Sequence, residues 1–209
     1  AMEEAKKRDH NKVGRELGYF TTCDIIGQGL PILLPNGARV IQLLQRFVED
    51  EEQKRGWLLT KTPYMAKSDL YKLSGHWDHY KDGMFVLGDE EKDDEVFALR
   101  PMTCPFQYQA YLNKKRSYRD LPLRYNETST LFRNEASGEK DKYIGTPEQW
   151  DEAQSAMKRI LDHLGIEYAI GVGEAAFYGP KLDIQIKNVF GKEDTLITIQ
   201  IDQLLAEKF

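Results

Sequence analysis

Thr130-Leu131-Phe132-Arg133-Asn134-Glu135, preceded by Tyr118-Arg119-Asp120-Leu121-Pro122-Leu123-Arg124, reads as an extended segment with an arginine and a carboxylate on one side. Side chains alternate faces along a strand, so Arg133 and Glu135 point one way and Asn134 the other. A guanidinium so placed offers a planar fork of donors, suited to a phosphate and to the negative charge that builds during attack on it. An Arg-x-Glu triplet alone equally describes a solvated strand face. Here the context is more specific: a phenylalanine stands before it and a loop of small residues, Ala136-Ser137-Gly138, follows.

Around this segment the chain alternates helix and strand signals. Residues 4–17 predict one helix with Val13 and Leu17 on a face and Gly18 as its stop. Pro31 to Pro35 predicts a short buried strand turned by Asn36-Gly37. From Ala38 to about Arg55, Ile41, Leu44, Phe47 and Val48 recur at helical spacing, with Val40 and Leu43 widening the stripe. Gly56 to Pro63 then reads as a strand ending at proline. The acidic run from Gly88 to Glu95 separates two apolar stretches and predicts a solvated hairpin tip.

Thr146-Pro147-Glu148-Gln149 has capping-box spacing, with proline at the first helical position. The helix it opens carries Trp150, Ala153, Met157, Ile160, Leu161 and Leu164 on one face and stops at Gly165. Two alternating stretches, Leu182–Lys187 and Ile197–Asp202, predict an antiparallel hairpin with one face buried. Its polar face carries Asp183, Gln185, Thr198, Gln200 and Asp202. The elements together predict one α+β domain over residues 1–209, an antiparallel sheet flanked by helices.

Composition bounds the function. With 209 residues, 41% hydrophobic and 30% charged, the chain can build a sizeable core and is not a disordered polymer. No apolar run approaches a membrane span and no leader precedes Arg8, so a cytoplasmic protein without a membrane partner is expected. Two cysteines, Cys23 and Cys104, are too few for a disulfide framework. A net charge of −5 argues against a nucleic acid gripping the whole surface. Binding of that kind would be local, with Lys114-Lys115-Arg116 and Arg119 the densest basic cluster; a solvated helix end with cations near its C-terminus explains them as well.

Phe-Arg-x-Glu opening a loop of small residues resembles motif 2 of the class II aminoacyl-tRNA synthetases, and the long helix, strand and proline before it resemble motif 1, which builds their dimer interface. The segments Ser74–Phe85, Arg100-Pro101-Met102-Thr103-Cys104-Pro105 and Glu174–Lys181, together with Arg8-Asp9-His10, are similar to signature segments of the threonyl-tRNA synthetases. The resemblance runs from about Lys6 to Asp202. It implies a class II synthetase-like fold, a homodimer, and the activation of threonine by ATP and Mg2+ before transfer to tRNA(Thr). By the same resemblance Arg133 holds the α-phosphate and Glu135 the adenine amino group, while Lys181 assists at phosphate or carboxylate. Met102, Cys104, Tyr178 and Gln200 match residues that line the amino-acid pocket.

Threonine differs from valine by a hydroxyl in place of a methyl, and an apolar pocket separates such isosteres poorly. The family resolves this with a Zn2+ held by one cysteine and two histidines. Cys104 matches the cysteine; His10, His76, His79 and His163 lie in other motifs, and a lone cysteine does not make a zinc site. Phe106-Gln107 also departs from the glycine and histidine frequent there. After Glu139 the sequence passes straight to Lys140–Gly145, similar to a segment normally tens of residues later, and motif 3 is absent. Such a seam marks either a true deletion or a missing segment, which a Cα spacing of about 3.8 Å across it would separate. Two rivals stay open: a non-catalytic synthetase-like module that binds nucleotide or tRNA, and an amide-forming ligase on the same fold.

Overall fold

A computed structural model of the chain describes residues 2–27, 29–134, 143–202 and 204–209. Glu135 and the seam after Glu139 lie outside the described residues. The elements run α1 (Met2–Lys7), α2 (His10–Glu16), β1 (Phe20–Thr21), β2 (Ile32–Leu33), α3 (Pro35–Lys54), β3 (Leu58–Leu59), β4 (Met65–Lys67), α4 (Ser68–Leu73), α5 (His76–Tyr80), β5 (Val86–Leu87), β6 (Phe97–Leu99), α6 (Cys104–Tyr111), β7 (Tyr125–Asn126), α7 (Pro147–Leu164), β8 (Lys181–Lys187) and β9 (Glu193–Gln200). This is an α+β architecture. Its strands form small sheets, and the chain divides into two compact units interleaved in sequence.

The first unit holds residues 1–59, 124–128 and 184–197. Its opening helix is not continuous as expected. Asp9 stops α1 and caps α2, its side chain accepting from the Asn11 N–H at 3.0 Å, because an aspartate there satisfies a donor that a helix start leaves open. β2 pairs antiparallel with β1 but is exposed rather than buried. Asn36-Gly37 does not turn the strand; with Pro35 at its first position, it forms the first turn of α3. Gly37 is needed there because a Cβ would sit 2.0 Å from the Tyr19 carbonyl oxygen. β3 pairs in parallel with β7, Leu58 opposite Tyr125.

The second unit holds residues 60–123, 129–183 and 198–209. Its centre is the antiparallel sheet β4-β6-β5, with Ala98 opposite both Ala66 and Val86. Tyr71 from α4, Trp77 from α5, Met84, Val96, Ala98 and Phe106 from α6 form the buried core around it. The acidic run does join β5 to β6, yet it is more than a solvated tip: Glu90 accepts from Trp77 Nε1 at 3.0 Å and pairs with Lys81 and Lys72. A second cluster, Phe177, Tyr178 and Leu205, packs with Tyr108, Ile144 and Ala176.

α7 starts on the expected capping box and ends on Gly165 at φ 66°. Ala153 and Leu161 are buried, whereas Ile160 and Leu164, also read as core, are exposed. β8 and β9 form the expected hairpin, and the five-residue connection makes it antiparallel. The burial of one whole face does not occur: Ile184, Ile186, Leu196, Ile197 and Ile199 are all exposed. The Arg133 segment also differs, because no ladder forms over 129–134. Instead the Phe132 N–H donates to the Arg100 carbonyl and the Asn134 N–H to the Gly83 carbonyl, both at 2.9 Å. The segment is extended and pinned at alternate residues, with no partner strand among the described residues.

Candidate active site

Within the second unit a cavity of about 230 Å³ is lined by Met102, Arg133, Tyr178 and Gln200, with Tyr80, Tyr143, Ala175, Ala176 and Phe177 completing the wall. Four of the residues expected from sequence thus meet in one place. Met102 follows β6 at the end of the central sheet, and Gln200 ends β9. Arg133 is aimed by its own side chain: Nε donates to the Pro101 carbonyl at 3.0 Å.

Tyr178 is buried, and its hydroxyl donates to Gln200 Oε1 at 2.8 Å. With its proton so placed, the phenol oxygen remains an acceptor while the Gln200 amide nitrogen is a donor. Burial, then the neighbouring Cys104 and Asp202, push the Tyr178 phenol up, so it stays protonated at neutral pH. The result is a small concave site with a fixed cation and a donor–acceptor pair. It suits a ligand bearing an anionic group together with an ammonium or hydroxyl.

Cys104 opens α6 and does not line the cavity. It counts as exposed over the residue as a whole, yet the protein around its sulfur and, beyond that, Asp202 push the thiol up. With no metal bound, the group is therefore a thiol near neutral pH. Among the described residues no three His, Cys, Asp or Glu side chains gather as a metal site. Among the described residues the donor set around Cys104 does not fit a resident Zn2+.

Lys181 is turned to a carboxylate on its own strand. Its Nζ donates to Asp183 Oδ2 at 2.6 Å, and it is not part of the cavity wall. Asp183 accepts from Thr198 as well, at 2.8 Å. Burial alone would raise the Asp183 carboxyl; the hydrogen bonds from Lys181 and Thr198 outweigh it and hold the group below its usual range.

Three neighbours of the site were not singled out from sequence. His76 is fully buried and meets Phe177 edge-on at 5.3 Å. Its Nδ1 shares a 2.7 Å hydrogen bond with Ser74 Oγ, which also lies 3.2 Å from the Tyr71 carbonyl, and its buried Nε2 has no hydrogen-bond partner among the described residues. Arg100 is fully buried beneath the Arg133 segment. Tyr143 lines the cavity from a stretch tied down by the Ile144 N–H on the Phe177 carbonyl. A histidine or arginine in a polar stretch reads as surface by default, so only the adjacent Gly-His-Trp and Arg-Pro words could have drawn attention to the first two.

The family model described as the tRNA synthetase class II core domain (G, H, P, S and T) matches residues 85–209. The chain is 56% identical over 268 aligned residues to the threonine–tRNA ligase of Clostridium perfringens and 38% identical over 266 to that of Halalkalibacterium halodurans. Each alignment takes in the whole chain but only 42% and 41% of the relative. The 268 aligned positions exceed the 209 residues by 59, so at least that many positions of the Clostridium protein have no counterpart here. A solved structure described as the RNA binding domain of threonyl-tRNA synthetase from Cryptosporidium parvum superposes with a TM-score of 0.86 at 29% identity, covering 96% of this chain and 63% of that one.

Proposed function

The chain belongs to the class II tRNA synthetase core-domain family, and we propose that it is part of the catalytic core of a threonine–tRNA ligase. It spans less than half the length of the curated relatives it matches, so the reaction is that of the longer protein. The observation that carries the reading is the convergence of Arg133, Tyr178, Gln200 and Met102 on one cavity. Threonine and ATP would meet there. The threonine carboxylate attacks the α-phosphorus, the bond to the bridging oxygen breaks and pyrophosphate leaves; a terminal ribose hydroxyl of tRNA(Thr) then attacks the threonyl carbonyl and AMP leaves.

Catalysis of this step is positioning and charge stabilisation, without a covalent enzyme intermediate. Arg133, a fixed donor, stabilises the charge on the α-phosphate oxygens in the transition state. Tyr178 and Gln200 orient the amino acid through its ammonium and hydroxyl. Glu135, proposed for the adenine amino group, lies outside the described residues. Lys181 is proposed as a second cation only if it exchanges Asp183 for substrate. Mg2+ bound with ATP supplies charge neutralisation at the phosphates and needs few protein ligands. No helix among the described residues is long and apolar enough to cross a membrane, and we place the enzyme in the cytoplasm as a homodimer paired through α3 and β3.

Exchange of labelled pyrophosphate into ATP, measured on the full-length protein with each amino acid in turn, tests the reading. Exchange with threonine alone is expected. No exchange with any amino acid would leave a nucleotide- or tRNA-binding module, and exchange driven by a different acid would make the protein another ligase on this fold.

A further inference from the structure

We propose that Arg100 is a positioning residue that sets the placement of Arg133; the catalytic consequence rests on the function proposed above, while the geometry does not. Arg100 is fully buried, which for a permanent cation demands close polar partners. Two other stretches of the second unit meet on it. From 60–64, Thr62 receives Nη1 through its hydroxyl at 2.7 Å and its carbonyl at 3.3 Å, and the Tyr64 ring lies 4.9 Å from the guanidinium carbon. From 129–133, the Thr130 carbonyl accepts Nε at 3.1 Å and Ser129 Oγ accepts Nη2. The Arg100 backbone completes the junction: its N–H donates to Tyr64 and its carbonyl accepts from Phe132, both at 2.9 Å. Its neighbour Pro101 supplies the carbonyl that holds Arg133 Nε.

Among the described residues no strand pairs with 129–134, and these contacts hold the segment in register. The guanidinium fork of Arg100 grips it at 129 and 130, the Arg100 carbonyl grips it at 132, and the Pro101 carbonyl aims residue 133. A lysine would keep the charge but not the fork, since a point charge with three donors cannot serve separate acceptors in one plane. A loss of placement of about 1 Å at a group acting on the transition state can cost up to about a hundredfold in rate.

The test is a double-mutant cycle in the full-length protein, read by threonine-dependent pyrophosphate exchange. Arg100→Lys is expected to lower kcat about tenfold with the KM for threonine within about twofold, and to cost less than about twofold when Arg133 is already alanine. An equal cost in both backgrounds would show a general structural role and overturn the proposal, as would unchanged exchange. If Arg100→Lys does not fold, Thr62→Val removes one acceptor of the fork and should give the same pattern at about threefold. Should the parent protein exchange nothing, the function proposed above fails, and crystal structures of parent and variant still decide this one. Displacement of Arg133 Nε from the Pro101 carbonyl supports it, and an unmoved Arg133 overturns it.

Discussion

Arg133 faces the cavity with its Nε held by the Pro101 carbonyl, so it is a preorganised donor whose removal is felt in the transition state. Arg133→Ala in the full-length enzyme should lower adenylate formation about a hundredfold or more, with folding retained, as seen by pyrophosphate exchange beside a denaturation curve. His76 gives a prediction of another kind. Burial first, then the positive Lys208 and His79 nearby, push its imidazole down to about 4. The unfolded chain, with an ordinary histidine, binds a proton between about pH 6.5 and 4 that the folded chain refuses. The contribution is therefore fully present above pH 6.5 and lost as pH falls toward 4, by about 3 kcal/mol at most. Urea midpoints across that range should slope accordingly. His76→Asn, which keeps a donor for Ser74 but does not titrate, should flatten the slope; a slope left unchanged would remove His76 as its source. Arg133, Tyr178 and Gln200 were legible in the sequence because their motifs are contiguous words. Arg100 and His76 were not, because burial of a polar side chain is decided by segments remote in sequence. Lys181 stands outside the cavity wall for a local reason: Asp183, two residues on along the same strand, shares its face and takes its ammonium.

At the scale of elements, local signals held where the chemistry closes within a few residues. The Thr146 hydroxyl accepts from the Gln149 N–H while the Gln149 side chain accepts from the Thr146 N–H, so the start of α7 needs no tertiary help. Thr146→Ala should cost about 1 kcal/mol, measured by chemical denaturation. The apolar faces were less legible, since periodicity says which residues share a face and not what covers it; Ile160 and Leu164 continue the α7 stripe into solvent. Gly37 likewise looked like a turn because Asn-Gly usually is one, whereas its lack of a Cβ serves the approach of the Tyr19 backbone. Gly179 has a similar reason to be glycine, next to Tyr178: a Cβ there would lie 2.0 Å from the Ile201 carbonyl oxygen. Gly179→Ala must shift the turn or the strand end that carries Gln200, so exchange should fall together with stability, by roughly 1–3 kcal/mol for the latter. Full activity and an unchanged midpoint would show that this approach relaxes freely.

The whole molecule carries an apolar surface that its own first unit does not cover. On α3, Ile41, Leu44, Phe47 and Val48 stand on one face and all are exposed, Leu44 at 56% and Phe47 at 64%, as are Leu58 and Leu59 on β3. Scattered exposed apolar residues are ordinary, but a contiguous stripe from one helix and the adjoining strand exceeds what a monomer usually leaves in water. A second copy related by a two-fold axis would cover it with the same patch, because an isologous interface is self-complementary. Burying each of these side chains is worth about 1.5–3 kcal/mol before the cost of association. Light scattering of the full-length protein at micromolar concentration should therefore give a dimer mass. A carboxylate at the centre of the patch, Phe47→Asp combined with Leu44→Asp, places two like charges per subunit in a closing apolar seam and should yield monomer with the helical circular dichroism intact. A parent protein that is monomeric at that concentration, or a double variant that still dimerises with the parent's affinity, would exclude α3 as the seat of pairing.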